Sequence, residues 1–401
     1  MVPPPIDISH LKGQKIDRKI SLKALPISYD LRTTGKLASV KNQGSYGTCW
    51  AQVTYGSLES CLLPGETRDF SENNLANLHG FDYSLGGFHD VNKGGNYFMS
   101  TAYLARWSGP VSEGDDPYPN PDASPSGLTV QKHVQEALSL PGRSNSLDND
   151  TLKQAVIDYG AISTSIYWSG ASYNSANAAY YYNGTGSTNH GVCIVGWNDA
   201  YPSSNFSATP PGNGAFIIKN SWGAGWGDSG YFYVSYYDTK VGKGNAVLNN
   251  AEATINYKNI YQYDWLGLVN GFGYSSNTGW FSNIFTAGGN QFLGAISFYT
   301  MALDSVYEIY IHTDVAAGQP GSGSIAGTKT GTISIPGYHT MFLIPRFLSP
   351  PAISFQWWLN LPRPGITIRF RLNVRRTDTA EGLPRMPEKV LQAATDLPGQ
   401  I

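Results

Sequence analysis

Cys49 stands in the run Gln43-Gly44-Ser45-Tyr46-Gly47-Thr48-Cys49-Trp50-Ala51. A thiol is a weak nucleophile until it ionises. A helix N-terminus and an adjacent imidazolium both lower its pKa. The glycines before Cys49 allow a tight turn. After it, Ala51, Tyr55, Leu58 and Leu62 share one helical face. That periodicity predicts a helix with Cys49 on its first turn, where backbone N–H groups favour a thiolate. Two distant stretches supply what such a thiol needs. One is Asn189-His190-Gly191-Val192-Cys193, and the other is Lys219-Asn220-Ser221-Trp222-Gly223. With Gln43 upstream, the chain carries a nucleophile, a base, a group to orient the base and an amide donor.

The elements that must bring these residues together fall into a helical front and a β-rich back. Ser71 reads as the N-cap of a second helix, and Gly94-Gly95 precede a third over Tyr97–Trp107. A loop rich in Pro, Asp and Ser spans 114–127, and a short helix covers Asp150–Tyr159. Beyond Gly160 the pattern alternates, predicting strands at Ala161–Trp168, His190–Trp197, Gly214–Lys219 and Gly230–Tyr237. An α+β domain over 25–250 with two subdomains and a cleft between them follows from this order. Residues 1–24 carry a Pro run and then Lys12, Lys15, Arg18, Lys19 and Lys23, and read as a leader, linker or remnant pro-segment. From 256 to 340, short runs at Tyr257–Tyr263, Trp280–Phe285, Phe292–Tyr299, Tyr307–His312 and Lys329–Ile335 predict an all-β sandwich. The tail 341–401 is atypical. Arginine, absent from 144 to 340, returns at Arg346, Arg363, Arg369, Arg371, Arg375, Arg376 and Arg385, and the Gly-Tyr-Asn turns vanish. This change reads either as a frameshift near Thr340–Met341, with the closing strands of the β-domain lost, or as a divergent or disordered tail. The DNA of the gene tests the frameshift.

The chain has 401 residues, a formal net charge of −2 and 14% charged residues, which argues against a nucleic-acid partner. No apolar run is long enough to span a membrane. Met1–Pro5 lack the apolar core of a signal peptide, so the chain is either cytosolic or trimmed at its start. Sequons at Asn149, Asn183 and Asn205 are compatible with export. Of three cysteines, Cys193 sits between Val192 and Ile194 as a buried thiol; pairing of Cys61 with Cys193 stays open. His79, His89, His133 and His312 match no motif and read as surface or loop residues. No metal-type spacing appears, and no cofactor is expected.

The stretch around Cys49, the two distant stretches and their order closely resemble the papain-like cysteine peptidases, over about residues 25–247. The resemblance implies a papain-like fold with a helical part and a β-barrel-like part. It implies a Cys49–His190–Asn220 triad, with Gln43 and the Cys49 N–H as the oxyanion hole. It further implies that Gly94-Gly95 bind the backbone of an extended protein or peptide substrate, and that Trp222 shields the His190–Asn220 hydrogen bond. Tyr46 stands where many relatives have a disulfide cysteine. The segment 256–340 resembles the lectin-like β-domain that follows the peptidase in prokaryotic and archaeal members. An extracellular or cell-surface setting follows, with a carbohydrate or cell-surface ligand for the β-domain. The rival readings are an adhesion protein on an inactive scaffold and a cysteine acyltransferase.

Overall fold

The structure is a computed structural model that describes residues 1–16, 24–82, 90–120, 123–270, 279–289, 291–316, 318–319, 321–349, 354–359 and 370–371. For 344–349, 354–359 and 370–371 it describes the backbone alone.

Helix α1 (Cys49–Leu62) runs through the centre of the first half, with residues 49–60 all buried. An amphipathic helix buries one face, and this one is buried all round because elements pack on both sides of it. Helices α2 (Glu72–Leu78) and α3 (Tyr97–Ala105) lie on one side. The strands His190–Asn198 and Asn245–Glu252 lie on the other. The helix starts follow side-chain chemistry. The Ser71 hydroxyl accepts from the Asn74 N–H, and Asn96 accepts from the N–H groups of Phe98 and Met99. Helix α4 (Asp150–Tyr159) ends at Gly160, whose φ of +92° suits glycine. A Cβ there would also meet Ser60 Oγ at 2.5 Å.

The back half is an antiparallel sheet. Ile162–Ile166, His190–Asn198, Ala215–Lys219 and Tyr231–Ser235 pair in sequence order. Ile162, Val192, Ile194, Phe216, Ile218, Phe232 and Val234 are fully buried in its core. These strands agree with the predicted runs to within two residues. The strand His133–Leu140 is not anticipated by the sequence. Its text, His-Val-Gln-Glu-Ala-Leu-Ser-Leu, has helical propensity, which pairing to Asn245–Glu252 overrides.

That strand also joins the two halves. The strand Gly337–Ser349 of the β-domain pairs with it, Gly337 opposite Leu138 and His339 opposite Glu136, so one sheet runs through both domains. The close approach requires glycine: a Cβ on Gly337 would lie 2.0 Å from Ala137 O. A second sheet, made of Ile284–Thr286, Ser354–Leu359, Ser305–Thr313 and Ser324–Ile333, faces the pair Gln291–Thr300 and Gly337–Ser349. Ile296, Phe298, Ile309, Ile311 and Leu343 fill the space between.

Four expectations are corrected here. Tyr257–Tyr263 forms no strand; Ile260 and Tyr261 are buried by packing, not by a ladder. Trp280–Phe285 shortens to Ile284–Thr286. The backbone also forms strands across the composition break at Met341, at Gly337–Ser349 and Ser354–Leu359, where closing strands were expected to be lost. Residues 372–401 lie outside the described residues, as does His89. The other three unassigned histidines are core residues, not surface ones: His79, His133 and His312 are all buried. His133 stacks on Trp107 with ring centroids 3.6 Å apart, and burial pushes its pKa down to about 4.

Candidate active site

Cys49 is the first residue of α1, and the start of the strand His190–Asn198 abuts it. The Gly191 position approaches the Cys49 carbonyl so closely that a Cβ would lie 3.3 Å from its oxygen. His190 Nε2 lies 2.8 Å from Asn220 Oδ1, and the same oxygen accepts from the Ser221 N–H at 2.9 Å. An atom that receives two donors is the amide oxygen. The imidazole proton therefore sits on Nε2, and Nδ1 keeps the lone pair. The Trp222 ring stacks on His190 at 4.6 Å and 20°, and is itself braced edge-on by Trp168 and Trp226. That places an apolar plate beside the His190–Asn220 pair.

Gln43 is buried and doubly held. Its Oε1 accepts from Ser221 Oγ at 2.6 Å, and its Nε2 donates to the Tyr46 carbonyl at 2.8 Å. Its backbone N–H donates to Ser221 O at 2.8 Å. One Nε2 hydrogen remains beyond the bond to Tyr46. The structure thus brings together Cys49, His190, Asn220, Trp222 and Gln43 from three distant segments.

Gly94 and Gly95 also reach this place. Gly94 has φ +75°, and a Cβ on Gly95 would lie 2.4 Å from the Trp50 indole. Packing on Trp50 alone therefore demands glycine at 95, whatever else its backbone does. What lies on it is the segment from Met1 to Pro3. The Val2 N–H donates to Gly95 O at 3.0 Å, and Asn96 Nδ2 donates to Pro3 O at 3.1 Å. Cys49 Sγ lies 3.7 Å from the Met1 thioether sulfur. Further along, Leu11 is buried, His10 Nε2 lies 2.6 Å from Met301 O of the β-domain, and Lys15 pairs with Asp148.

Burial shifts both Cys49 and His190 toward their neutral forms. Burial pushes the Cys49 thiol up, against backbone hydrogen bonds from Gly191 and Trp50 that favour the thiolate. Burial likewise pushes His190 down to about 4, against its bond to Asn220. Burial thus opposes charge on both groups, working against the ion pair that the helix start favours.

Beneath the site lies a charge cluster the sequence did not point to. Lys41 lies between Glu59, Asp69 and Glu72, and the buried Lys219 donates to Ala38 O at 2.9 Å. All three cysteines are free, so Cys61 and Cys193 do not pair, and Cys193 is buried as its strand position implied. Among the described residues no cluster of His, Cys, Asp and Glu could hold a metal ion.

Residues 25–251 match the papain family cysteine protease profile, and residues 260–348 match that of a lectin like domain. The chain belongs to the papain family of cysteine proteases. Cathepsin K of Mus musculus is 33% identical over 216 residues, covering 52% of this chain and 59% of that protein. Cysteine proteinase 15A of Pisum sativum is 30% identical over 240 residues, covering 58% and 64%. The chain thus spans about three-fifths of the length of the curated relatives it matches. Among solved structures, a clostridial cysteine protease, Cwp84, after propeptide cleavage aligns with TM-score 0.73 and 26% identity over 88% of each chain. The cysteine protease and lectin-like domains of Cwp84, described as a surface layer associated protein of Clostridium difficile, align with TM-score 0.71. They share 26% identity with this chain over 88% of it and 78% of that one.

Proposed function

We propose that the chain is a cysteine endopeptidase that hydrolyses peptide bonds through a Cys49–His190–Asn220 triad. The observation that carries this is the His190–Asn220 hydrogen bond standing beside a cysteine on the first turn of α1. Cys49 Sγ attacks the scissile carbonyl carbon while its proton passes to His190 Nδ1. The carbonyl oxygen takes up negative charge, facing the Cys49 N–H and the remaining Nε2 hydrogen of Gln43. His190 then protonates the leaving amine as the C–N bond breaks, leaving a thioester. Water loses a proton to the same nitrogen, attacks the thioester and releases the acid and the thiol. Asn220 holds the imidazole in its Nε2–H tautomer throughout. The substrate backbone lies along Gly94-Gly95, on the line that residues 1–3 occupy, so the leader must leave first.

The β-domain is the part that meets a carbohydrate or cell-surface ligand, in an extracellular or surface setting like that named for Cwp84. No described helix is long and apolar enough to cross a membrane. Residues 1–24 act as the leader, 25–250 as the peptidase and 256–340 as the β-domain; the frameshift at Met341 stands as a proposal for DNA sequencing. The test of the peptidase reading is labelling with an epoxide thiol reagent, alongside hydrolysis of a dipeptidyl fluorogenic substrate. The chain cut in its leader is expected to label at Cys49 and lose turnover in step. Turnover that survives complete labelling of Cys49 overturns the reading.

A further inference from the structure

The loop from Gln43 to Cys49 carries both proposed oxyanion donors, one at each end. Loops of this glycine content hold no fixed shape by themselves. No disulfide pins this one: the three cysteines are free and position 46 is a tyrosine. Ser221 anchors its start through Gln43, and two further residues from outside brace the rest. On one side Asn92 Oδ1 accepts from the Gly47 N–H at 3.1 Å. On the other a single hydroxyl touches both ends. Tyr118 Oη donates to the Gln43 carbonyl at 2.7 Å and lies 2.7 Å from Thr48 Oγ1. With the Tyr118 proton committed to Gln43, Thr48 is the donor in the second bond, and the relay runs Thr48 to Tyr118 to Gln43.

Thr48 makes this pairing telling. It is the N-cap of α1, where a threonine hydroxyl ordinarily accepts from an N–H of the first turn. Here it makes no such bond. Its hydroxyl is diverted to Tyr118, though the residue is almost fully buried. Tyr118 in turn is fixed from behind, its N–H donating to Glu113 Oε1 at 2.8 Å, and its ring meets Tyr46 edge-on at 6.4 Å. One side chain therefore contacts the start, the middle and the end of the loop.

We infer that Tyr118 is a positioning residue for the oxyanion hole, a hydrogen-bonded clasp that sets the spacing between the Gln43 amide and the Cys49 N–H in place of a covalent brace. The inference rests on the peptidase reading. It predicts that losing the hydroxyl costs transition-state stabilisation, leaving substrate binding and the thiol's own reactivity in place.

The test compares Tyr118→Phe and Thr48→Val, singly and together, in the full chain and in the same chain cut in its leader. Each is assayed for kcat and KM on a peptide substrate and for the rate of alkylation by iodoacetamide, a displacement at carbon that forms no oxyanion. The expected result is a fall in kcat of about tenfold for either variant, milder than the hundredfold or more that follows outright loss of an oxyanion donor. KM and the alkylation rate hold, and the double variant is no worse than either single one, because both break the same relay. A parallel fall in alkylation would mean that Tyr118 acts on the nucleophile or the fold, and overturns the inference. So does an unchanged kcat, or additive losses in the double variant. If the wild-type chain neither turns over nor labels at Cys49, the peptidase reading itself fails.

Discussion

The peptidase half and the β-domain both bury apolar cores, but among the described residues only the peptidase half also buries carboxylate, lysine and arginine side chains. In the first, polar groups sit deep in the packing. Lys41, Glu59 and Glu72 cluster below the site, and the Arg143 guanidinium is almost wholly buried among the carbonyls of Val241, Tyr236, Asp238 and Ser146. In the second, the described core includes Ile296, Phe298, Ile309, Ile311 and Leu343, and Phe292, Val306, Ile325 and Phe342 remain exposed. Apolar packing tolerates exchange as long as volume is kept, whereas a buried hydrogen bond fixes atoms relative to one another. Changes in the first half should therefore register in rate, and changes in the second in stability.

The sharpest way to break that division is at Cys49. Cys49→Ala is expected to lower kcat by about a thousandfold or more, with no loss of fold by circular dichroism. Residual turnover at the wild-type rate would move the nucleophile elsewhere. Asn220→Ala follows, with kcat reduced by about ten- to a hundredfold, a fraction of what general acid–base catalysis supplies. Steady-state kinetics at saturating substrate measures it, and a loss confined to KM would contradict the orienting role.

At the seam the effect should change in kind. Gly337→Ala pushes a methyl group into Ala137 O and should cost about 1–3 kcal/mol by chemical denaturation, with peptide turnover at moderate temperature retained. A large fall in kcat would show that the β-domain shapes the site through the shared sheet, and the division would collapse.

The smallest expected effect is one of pH. Burial pushes the carboxyls of Glu59 and Glu72 above the usual range, against the pull of Lys41. The folded chain thus holds these protons to a higher pH than the unfolded chain does. Their contribution to stability is complete at and below the ordinary carboxylate pKa and is lost as pH rises toward and past neutrality. Glu59→Gln, which mimics the protonated form, should flatten that decline when denaturation is compared at about pH 5 and about pH 8. An unchanged slope would assign the pH dependence to other groups.

The same contrast explains what could be read from sequence. That Cys49, His190, Asn220 and Gln43 come together in space was legible because each stands among distinctive neighbours. Helices α1 and α4 and the strands from Ile162 to Ser235 followed from period alone. The strand His133–Leu140 did not, since its residues favour a helix and only its partners make it a strand. Tyr118 left no signal, lying in a Pro-rich loop whose contacts arise in three dimensions. His79, His133 and His312 look polar in sequence, yet each is folded into a core. In the β-domain, aromatic runs such as Tyr257–Tyr263 resemble strands because burial and strand-forming both favour tyrosine.

The hydrogen bond from Val2 to Gly95 has a further consequence. A segment joined to the domain it covers competes with substrate at an effective concentration of about millimolar, whatever the protein concentration. Contacts as slight as those of Met1 to Pro3 can then suffice while the tether is whole. One cut in the leader would turn the same contacts into a bimolecular association of a short peptide, which dilution dissolves. Turnover after such a cut should rise further on dilution and fall when the peptide Met1–Lys15 is added back; a rate indifferent to both would mean that residues 1–3 hold the cleft without governing it.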